Sequence, residues 1–470
     1  MNVIDTLKGI GYTTIDASWY DYIHMWDSWY KGEVEKFHNF KVYNGQKTIK
    51  CKRYSLGMAK KVCEDWANLL MNEKVKITLE GKKEQDFIDA IFEENDFEVN
   101  ANELQEKGAA RGAYAIIPRI VNISVDENGN ATGGKVLLEY VTAEHIFPLA
   151  WRGREITECA FATQLVQDGK KYLYMQLHVI ENGKYTIKNK MYHADNDTLS
   201  EAKLGDVKGY ENVAESIPTG SDQPQFVIGR YNIANNIADN NPMGISVFAN
   251  AIDCLKGVDV AYDSYVNEFI LGKKRIMVKP AATKRIDGED VFDPTDITFY
   301  VLPEDTTDEG VITPIDMDLR TAEHTQGLQD QLNMLSAKCG FGQQHYKFDN
   351  GNVSTATQII SENSDMFRAI KKHEIILEAV IIELCRILLR LGNAYLGAGV
   401  NEDVEISVDF DDSIIEDKTA NFERDMRLLN AGIMNDWEFR MRWMNEDEAT
   451  AKEALPKMQD MVTEKQEEVE

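Results

Sequence analysis

Two helical segments separated by a short strand-rich insert constrain the fold of this chain more than any other feature. Within residues 245–271, apolar side chains recur at alternating intervals of three and four, which predicts a long helix that packs along one seam. Asp259 is the one polar residue in this series. The candidate packing residues of the seam are Phe248, Ile252, Leu255, Tyr262, Val266 and Phe269.

A second helix is predicted at residues 317–338, and strand-like sequence occupies much of residues 276–316 between the two helices. The first helix is a rod of roughly 40 Å at the usual rise per residue. The pattern therefore predicts a helical hairpin whose tip carries a small α+β insert. A rod of this length packs against partners, either within the chain or between chains.

The sequence before the hairpin combines helices with strands. An aromatic stretch within the first 40 residues has helical spacing, which indicates a packing face, and further helices are predicted at 55–72 and 84–95. From residue 112 to residue 232, stretches rich in Val, Ile, Tyr and Thr alternate with turn clusters, which predicts an antiparallel meander. Its predicted strands are 113–124, 135–142, 158–167, 173–181 and 184–192.

A Gly- and polar-rich break, CGFGQQHYKFDNGNVS, follows the hairpin at residues 339–354. It leads into a strongly apolar helical run at 355–396 and a short strand at 404–410. Residues 415–470 are predicted to form two or three acidic amphipathic helices. The sequence therefore predicts an α+β fold class.

Charge and cysteine content limit the function classes. The formal net charge is −28, and residues 401–470 carry 21 Asp and Glu against 8 Lys and Arg. A protein that grips DNA by neutralising phosphates carries a basic face instead. The six cysteines are scattered, which indicates free thiols rather than a metal site. We find neither a secretory signal nor an apolar run long enough to span a bilayer.

The sequence contains no convincing catalytic motif. GNATGGKV at residues 129–136 fits the spacing of a phosphate-binding loop, but Val136 stands where that loop needs Ser or Thr. The stretch also lies between two predicted strands, whereas a phosphate loop opens a helix. No nucleophile lies at recognisable spacing from a base. We therefore predict no catalytic residue, no cofactor and no metal site.

Several stretches resemble the portal proteins of tailed double-stranded DNA bacteriophages that infect Gram-positive bacteria, of the siphophage type. They come in the order of that family and cover the chain nearly from end to end. They are WDSWYKG (26–32), FHNF (37–40), RYSLGMAKKVCEDWANLLMNEKVKI (53–77), the run from PMGISVF to KKRIMV (242–278), GNVSTATQIISENSDMFRAIKKHE (351–374) and FDDSIIEDKTANFERDMRLLNAGIMN (410–435).

The resemblance implies the portal fold, with a mixed α/β wing, a long helical stem, a small α+β clip and a helical crown. It implies a ring of twelve subunits at one vertex of the capsid. The implied divisions are the wing (1–240), the first stem helix (241–275), the clip (276–316), the second stem helix (317–339), the tunnel loop (340–354), a long helix and strand returning to the wing (355–411) and the crown (412–470).

The resemblance also implies partners. The ring is the channel for DNA packaging and ejection, and it binds the large terminase subunit, an adaptor or head-completion protein, and the major capsid and scaffolding proteins. It belongs to the virion, assembles in the host cytoplasm and has no membrane partner. We expect a basic ring at Lys273, Lys274 and Arg275. The expected DNA-facing tunnel-loop residues are Gly342, Gln343, Gln344, His345, Tyr346 and Lys347.

Other classes of protein remain open at this point. A packaging ATPase or a head-maturation protease is disfavoured by the defective phosphate loop and the missing catalytic residues. A membrane- or partner-binding scaffold of acidic helices is disfavoured because an acidic surface repels anionic lipids. Another structural head protein, such as a minor capsid protein or an adaptor, is the nearest alternative. The two helices, their insert and the Gly-rich break favour the portal.

Overall fold

The computed structural model describes residues 3–43, 45–72, 75–122, 133–195, 198–273, 275–278, 299–301, 312–315, 318–347, 356–410, 418–444, 446 and 448–454. The chain divides into two compact units, Met1–Phe410 and Asp411–Glu470.

The first unit begins with helices that bury an aromatic face. Trp19, Trp26 and Trp29 lie on one side of the second helix and are buried, and the rings of Trp19 and Trp26 pack edge to face at 5.8 Å. The sixth helix ends where Gly112 adopts the left-handed conformation that caps helices (φ +89°). The elements are α1 (Val3–Gly9), α2 (Ser18–Tyr30), α3 (Glu35–His38), β1 (Asn39–Tyr43), β2 (Thr48–Lys52), α4 (Met58–Leu70), β3 (Lys76–Leu79), α5 (Lys82–Glu94) and α6 (Phe97–Arg111).

An antiparallel meander follows, as the sequence predicts. Its hairpin turns at Asp168–Gly169 and Asn182–Gly183 have positive φ at both residues, the type I′ geometry that matches strand twist. The strands are β4 (Tyr114–Val121), β5 (Lys135–Thr142), β6 (Ile146–Arg152), β7 (Glu155–Gln167), β8 (Lys170–Glu181), β9 (Lys184–Asp195), β10 (Thr198–Ala202), β11 (Ser216–Pro218) and β12 (Val227–Gly229).

These strands form two sheets. The larger has the order β10-β9-β8-β7-β6, with β11 also paired to β9, and α1 packs its buried side chains on this sheet. The smaller has the order β12-β4-β5. Because Val121 pairs with Lys135 in antiparallel register, the segment of the defective phosphate loop joins two strands of a hairpin. Residues 123–132 lie outside the described residues.

The predicted helical hairpin is present, but its first helix starts later than the sequence predicts. The helix α7 spans Ile252–Leu271 and follows a 3₁₀ turn at Ala249–Ala251. Residues before the turn are held in the body of the unit, where the backbone N–H of Val247 donates to the carbonyl of Ala109 at 2.9 Å. Phe248 is therefore a buried core residue that precedes the helix, and the prediction of helix from residue 245 is wrong.

The second helix of the hairpin is α8 (Thr321–Lys338). Between the two helices, β13 (Arg275–Val278) lies at the centre of a small sheet. It pairs in parallel with β14 (Phe299–Val301) and antiparallel with β15 (Ile312–Ile315). Strands therefore lie in the insert where the sequence predicts them.

A 36-residue helix, α9 (Ala356–Leu391), continues the chain after the Gly-rich break. It ends in a π-helical turn at Gly392–Leu396, after which Gly397 is left-handed. The next strand, β16 (Ile406–Asp409), pairs antiparallel with β3. The chain thus returns to the N-terminal part of the first unit, as a strand at 404–410 predicts.

The second unit contains the helices α10 (Lys418–Asn430), α11 (Asp436–Met444) and α12 (Glu448–Glu453). Phe422, Phe439 and Trp443 form an aromatic cluster between its first two helices. The indole N–H of Trp443 donates to the buried carboxylate of Asp425 at 3.2 Å. Helices therefore occur where the sequence predicts two or three of them; residues 455–470 lie outside the described part.

Candidate ring-forming hairpin and channel segment

The hairpin packs internally along the part of α7 nearest the body of the first unit. Leu255 and Val258 of α7 and Leu332 of α8 are buried. Gly257 permits close approach, because a methyl group there would overlap the side-chain amide of Gln331. This part of the seam buries its apolar side chains within one chain.

The far part of the seam is more exposed. Ile252, at the near end of α7, is half-buried. Tyr262 and Val266 are also half-buried, whereas towards the insert Phe269 is 44% exposed and Leu271 is 61% exposed. We call the exposed apolar residues at the insert end of the hairpin the outer apolar face: Phe269, Ile270, Leu271 and Leu319. Contiguous exposed apolar surface is typical of an interaction site. The predicted packing residues therefore divide between intrachain packing and the outer apolar face.

The polar residue of the seam anchors the hairpin. Asp259 is buried, and its Oδ1 accepts the backbone N–H of Leu56 at 2.8 Å. Its Oδ2 lies 3.0 Å from both Ser55 Oγ and His38 Nε2. Buried carboxylates require such partners because burial removes their hydration. Asp259 thus ties α7 to the segment around residues 38–56.

The insert end of the hairpin is closed by an ion-pair cluster. The guanidinium of Arg320 donates to both oxygens of Glu268, at 3.0 and 2.8 Å, and the Arg320 backbone N–H donates to Oε1 at 3.1 Å. His324 Nε2 lies 3.4 Å from Oε2 of the same carboxylate. The hydrogen bonds from Arg320 lower the pKa of Glu268 to about 2. This cluster joins the end of α7 to the start of α8.

The first part of the Gly-rich break folds back against α4. Trp66 donates its indole N–H to the carbonyl of Cys339 at 3.1 Å, and the ring of Phe341 stacks on Trp66 at 4.7 Å and on His345 at 4.5 Å. Tyr346 donates its hydroxyl to Asp65 Oδ2 at 3.0 Å. Burial, with the charge of Asp65, holds the pKa of Tyr346 well above its ordinary value. Residues 339–346 therefore form a packed base for the break.

The predicted DNA-facing residues occupy different environments. His345 and Tyr346 both lie against Asp65, and Gly342 accepts a hydrogen bond from the hydroxyl of Ser336. Gln343 and Lys347 are exposed, whereas Gln344 is half-buried. The remainder of the break, residues 348–355, lies outside the described residues.

The predicted basic ring is described only in part. Lys273 is exposed just after α7. Lys274 lies outside the described residues, and of Arg275 the structure describes the backbone at the start of β13. The structure therefore places Lys273 near the join of the hairpin and its insert.

The described residues show no arrangement suited to catalysis. Among them, no group of His, Cys, Asp and Glu is placed to hold a metal ion. Burial raises the pKa of Cys63, Cys159 and Cys339, which keeps these thiols protonated and unreactive. Within the same described ranges, no helix combines the length and apolar character needed to cross a bilayer. The raised pKa values of these thiols follow from their burial among packed side chains.

Sequence reasoning missed most of the polar anchors. The single polar position in an apolar seam marks Asp259, but nothing in sequence spacing indicates His38, which is 221 positions away. Asp65 also gave no signal, because it looks like one of many charged residues on a helix. Glu268 and Arg320 lie on opposite sides of the insert in the sequence, so no helical or strand spacing indicates that they pair.

A hairpin that is braced by polar contacts and has an outer apolar face at its insert end is typical of a structural assembly protein. Within that class, the chain belongs to the phage portal protein family described as "Phage portal protein, SPP1 Gp6-like", whose model matches residues 12–469. The resemblance to siphophage-type portal proteins and the predicted portal fold are thereby confirmed, whereas a Gram-positive host stays a prediction. This is a structural family of the phage portal vertex.

No curated protein matches the chain. A solved structure titled "Neck of native GTA particle computed with C12 symmetry" contains a chain that is 11% identical to this one. The match covers 82% of this chain and 88% of that chain, with a TM-score of 0.39.

Proposed function

We propose that twelve copies of this portal protein form a ring at one capsid vertex, the channel through which double-stranded DNA is packaged and ejected. The observation that carries the proposal is the outer apolar face, which lies beyond the part of the hairpin that packs within the chain. Contact with a neighbouring subunit removes this apolar surface from water, which stabilises the assembly by about 25 cal/mol per Å² of apolar surface buried. In the ring, these apolar side chains are therefore buried between subunits.

Under this proposal, each segment of the chain forms a named part of the portal. Residues 1–240 are the wing, 241–275 and 317–339 the stem, and 276–316 the clip. The tunnel loop is 340–354, residues 355–411 return to the wing, and 412–470 form the crown. The polar anchors support this division because Asp259 ties the middle of the first stem helix to the wing and Glu268 joins the two stem helices at the clip end.

Partners are proposed from the same division. The clip binds the large terminase subunit during packaging and an adaptor or head-completion protein afterwards. The wing and crown meet the major capsid and scaffolding proteins. The protein assembles in the host cytoplasm and then resides at the portal vertex. Neither enzymatic activity nor a cofactor is part of this function, and purified protein should not hydrolyse ATP.

DNA contacts are proposed at the tunnel loop and at the basic residues beside the clip. A net charge of −28 per chain, repeated around a ring, repels the DNA backbone and favours sliding. Lys347 in the loop and Lys273 at the stem–clip join are exposed cations that offset this repulsion locally. Because Tyr346 and His345 are held against Asp65, we propose that they position the loop and that the residues following them approach the duplex.

Electron microscopy of the purified protein tests the ring. We expect rings with a central hole wide enough for duplex DNA. Phe269→Glu, which places a charge on the outer apolar face, should abolish them. Val166→Glu is the matched control, because Val166 is an exposed apolar residue of β7 outside the hairpin. Rings that persist in Phe269→Glu, or a compact monomer with ATPase activity, would contradict the proposal.

A further inference from the structure

The strands β1 and β2 form a two-stranded sheet of their own, which we call the β-ribbon. Among the described helices and strands, only α3, which directly precedes β1, packs substantially against it. Eight of its ten strand residues are exposed, and they include residues of both faces. Its five-residue strands extend about 17 Å at the usual rise of about 3.4 Å per residue. The β-ribbon therefore projects from the first unit.

The β-ribbon is basic, although the chain as a whole is acidic. Residues 36–53 contain six Lys and Arg and no Asp or Glu, whereas the whole chain carries 79 Asp and Glu against 51 Lys and Arg. Lys41 pairs with Lys50 across the two strands, so both side chains lie on one face. Val42 pairs with Ile49 on the opposite face, where their contact stabilises the β-ribbon. One face of the β-ribbon is therefore basic and the other is apolar.

Carboxylates offset the positive charge only at the base of the β-ribbon. Glu33 and Glu35 line a cavity there together with Lys52. Lys41 and Lys50 lie farther along the strands, and both are exposed. Among the described residues, neither of these two lysines has a carboxylate at ion-pairing distance. Like charges directly opposite each other destabilise a sheet, so this lysine pair favours a ligand with negative charge.

The projection of the β-ribbon indicates which anion fits. Salt screens the field of the acidic chain over about 10 Å at an ionic strength of about 0.1 M, which is shorter than the β-ribbon. The repulsion that keeps DNA away from the acidic surface is therefore weakened along the strands. The major groove of a DNA duplex admits a two-stranded ribbon, and lysine side chains contact the phosphates beside it. A second copy of the chain is the competing partner, but its own net charge of −28 opposes close approach.

We propose that the basic face of the β-ribbon binds the phosphate backbone of double-stranded DNA through Lys41 and Lys50. Two neighbouring ammonium groups without a counter-charge match the closely spaced phosphates of a duplex. This contact lies outside the tunnel loop and the stem–clip join, where the channel contacts are proposed. The inference goes beyond the proposed function, because it does not require DNA to pass through the ring.

A covalently closed DNA minicircle tests this contact, because it cannot thread through a closed ring. In an electrophoretic mobility shift at low salt, the double substitution Lys41→Gln and Lys50→Gln should lower the affinity about tenfold or more. The slope of log affinity against log salt concentration should become about 2 units shallower, since each phosphate contact contributes about 0.9. Lys170→Gln with Lys171→Gln is the matched control, because it removes two exposed lysines from the hairpin of β7 and β8. It should change the affinity less than about twofold.

Several outcomes would overturn the inference. They are an unaltered protein that does not bind the minicircle, unchanged binding after substitution of Lys41 and Lys50, and an equal loss in the control. Unchanged minicircle binding with a loss of assembly in sedimentation velocity would identify a second copy as the partner instead.

The channel contacts are tested separately from the β-ribbon. Lys273→Gln with Lys347→Gln should leave minicircle binding unchanged, and a loss equal to that of the β-ribbon variant would overturn the inference. If the unaltered protein forms no ring but loses minicircle binding with Lys41 and Lys50, the proposed function fails and the inference stands. Circular dichroism of each variant separates these results from misfolding.

Discussion

Asp259 Oδ2 lies 3.0 Å from His38 Nε2, across 221 positions of sequence. The backbone N–H of Val34 donates to Nδ1 of the same imidazole at 2.8 Å, so Nδ1 is unprotonated and Nε2 carries the hydrogen that points at the carboxylate. The helix α7 is thus held by a residue of α3 near the start of the chain.

Asp259→Ala should destabilise the first unit by about 3 kcal/mol. The substitution leaves the imidazole N–H of His38 and the backbone N–H of Leu56 buried without an acceptor. Urea denaturation measures the free energy of unfolding. Asp253→Ala is the control on the same helix, since its side chain is 93% exposed and its ion pair with Lys256 is a surface one, so we expect a change below about 0.5 kcal/mol. Equal effects of the two substitutions would refute the anchor.

Glu268 should make the hairpin sensitive to acid. Arg320 holds the pKa of Glu268 at about 2 in the folded protein, below its value in an unfolded chain. A depressed folded-state pKa contributes stability that is present above about pH 4.3 and is lost as the pH falls toward 2. Thermal unfolding between pH 6 and pH 3 should therefore show a smaller loss of melting temperature for Glu268→Gln than for the unaltered protein. Identical pH profiles would show that this pair does not contribute.

Tyr346→Phe should loosen the packed base of the Gly-rich break. It removes the hydroxyl that donates to Asp65, at a cost of about 1 kcal/mol. We expect faster hydrogen exchange and proteolysis within residues 339–347, with little change elsewhere. Tyr43→Phe is the control, because Tyr43 is 67% exposed and its hydroxyl donates to the carbonyl of Gly45, remote in sequence from the loop. Unchanged exchange in the loop would count against Tyr346 as a positioning residue.

Gly112→Ala should destabilise the protein by about 3 kcal/mol. The left-handed φ of Gly112 is strained for alanine, and the added methyl group would also overlap the backbone carbonyl of Gly244. Gly183→Ala separates these causes, because Gly183 also has positive φ but has open space around it. It should cost only about 1 kcal/mol. Urea denaturation of both variants gives the comparison, and equal costs would mean that the close approach of the two backbones is unimportant.

The hairpin shows how far periodicity predicts a fold. Alternation of three and four predicted the helix α7, and the turn clusters predicted the strands of the meander. The start of α7 was misplaced, because the apolar period continues through Ile245 and Phe248 although hydrogen bonds from Ser246 and Val247 to Ala109 hold that backbone outside the helix. Periodicity reports which side chains are buried, and it does not distinguish burial on a helix from burial in a loop.

The candidate site was less predictable than the fold. Sequence marked Lys273 and the loop residues up to Lys347, and whether they contact DNA stays a prediction. The packing of Phe341, His345 and Tyr346 on α4 depends on Trp66 and Asp65, which lie about 280 positions earlier in the chain. Long-range polar contacts of this kind obey no sequence spacing.

The sequence by itself determined the order of elements, the acidic balance and, through its resemblance, the portal family. Those properties depend on local sequence or on composition, so they can be predicted without the three-dimensional structure. Only the tertiary structure decided that Asp259 pairs with His38 and that Glu268 joins the two helices of the hairpin through Arg320. These relationships arise because folding brings distant residues into one low-dielectric environment, where each buried charge requires a partner that the sequence does not identify.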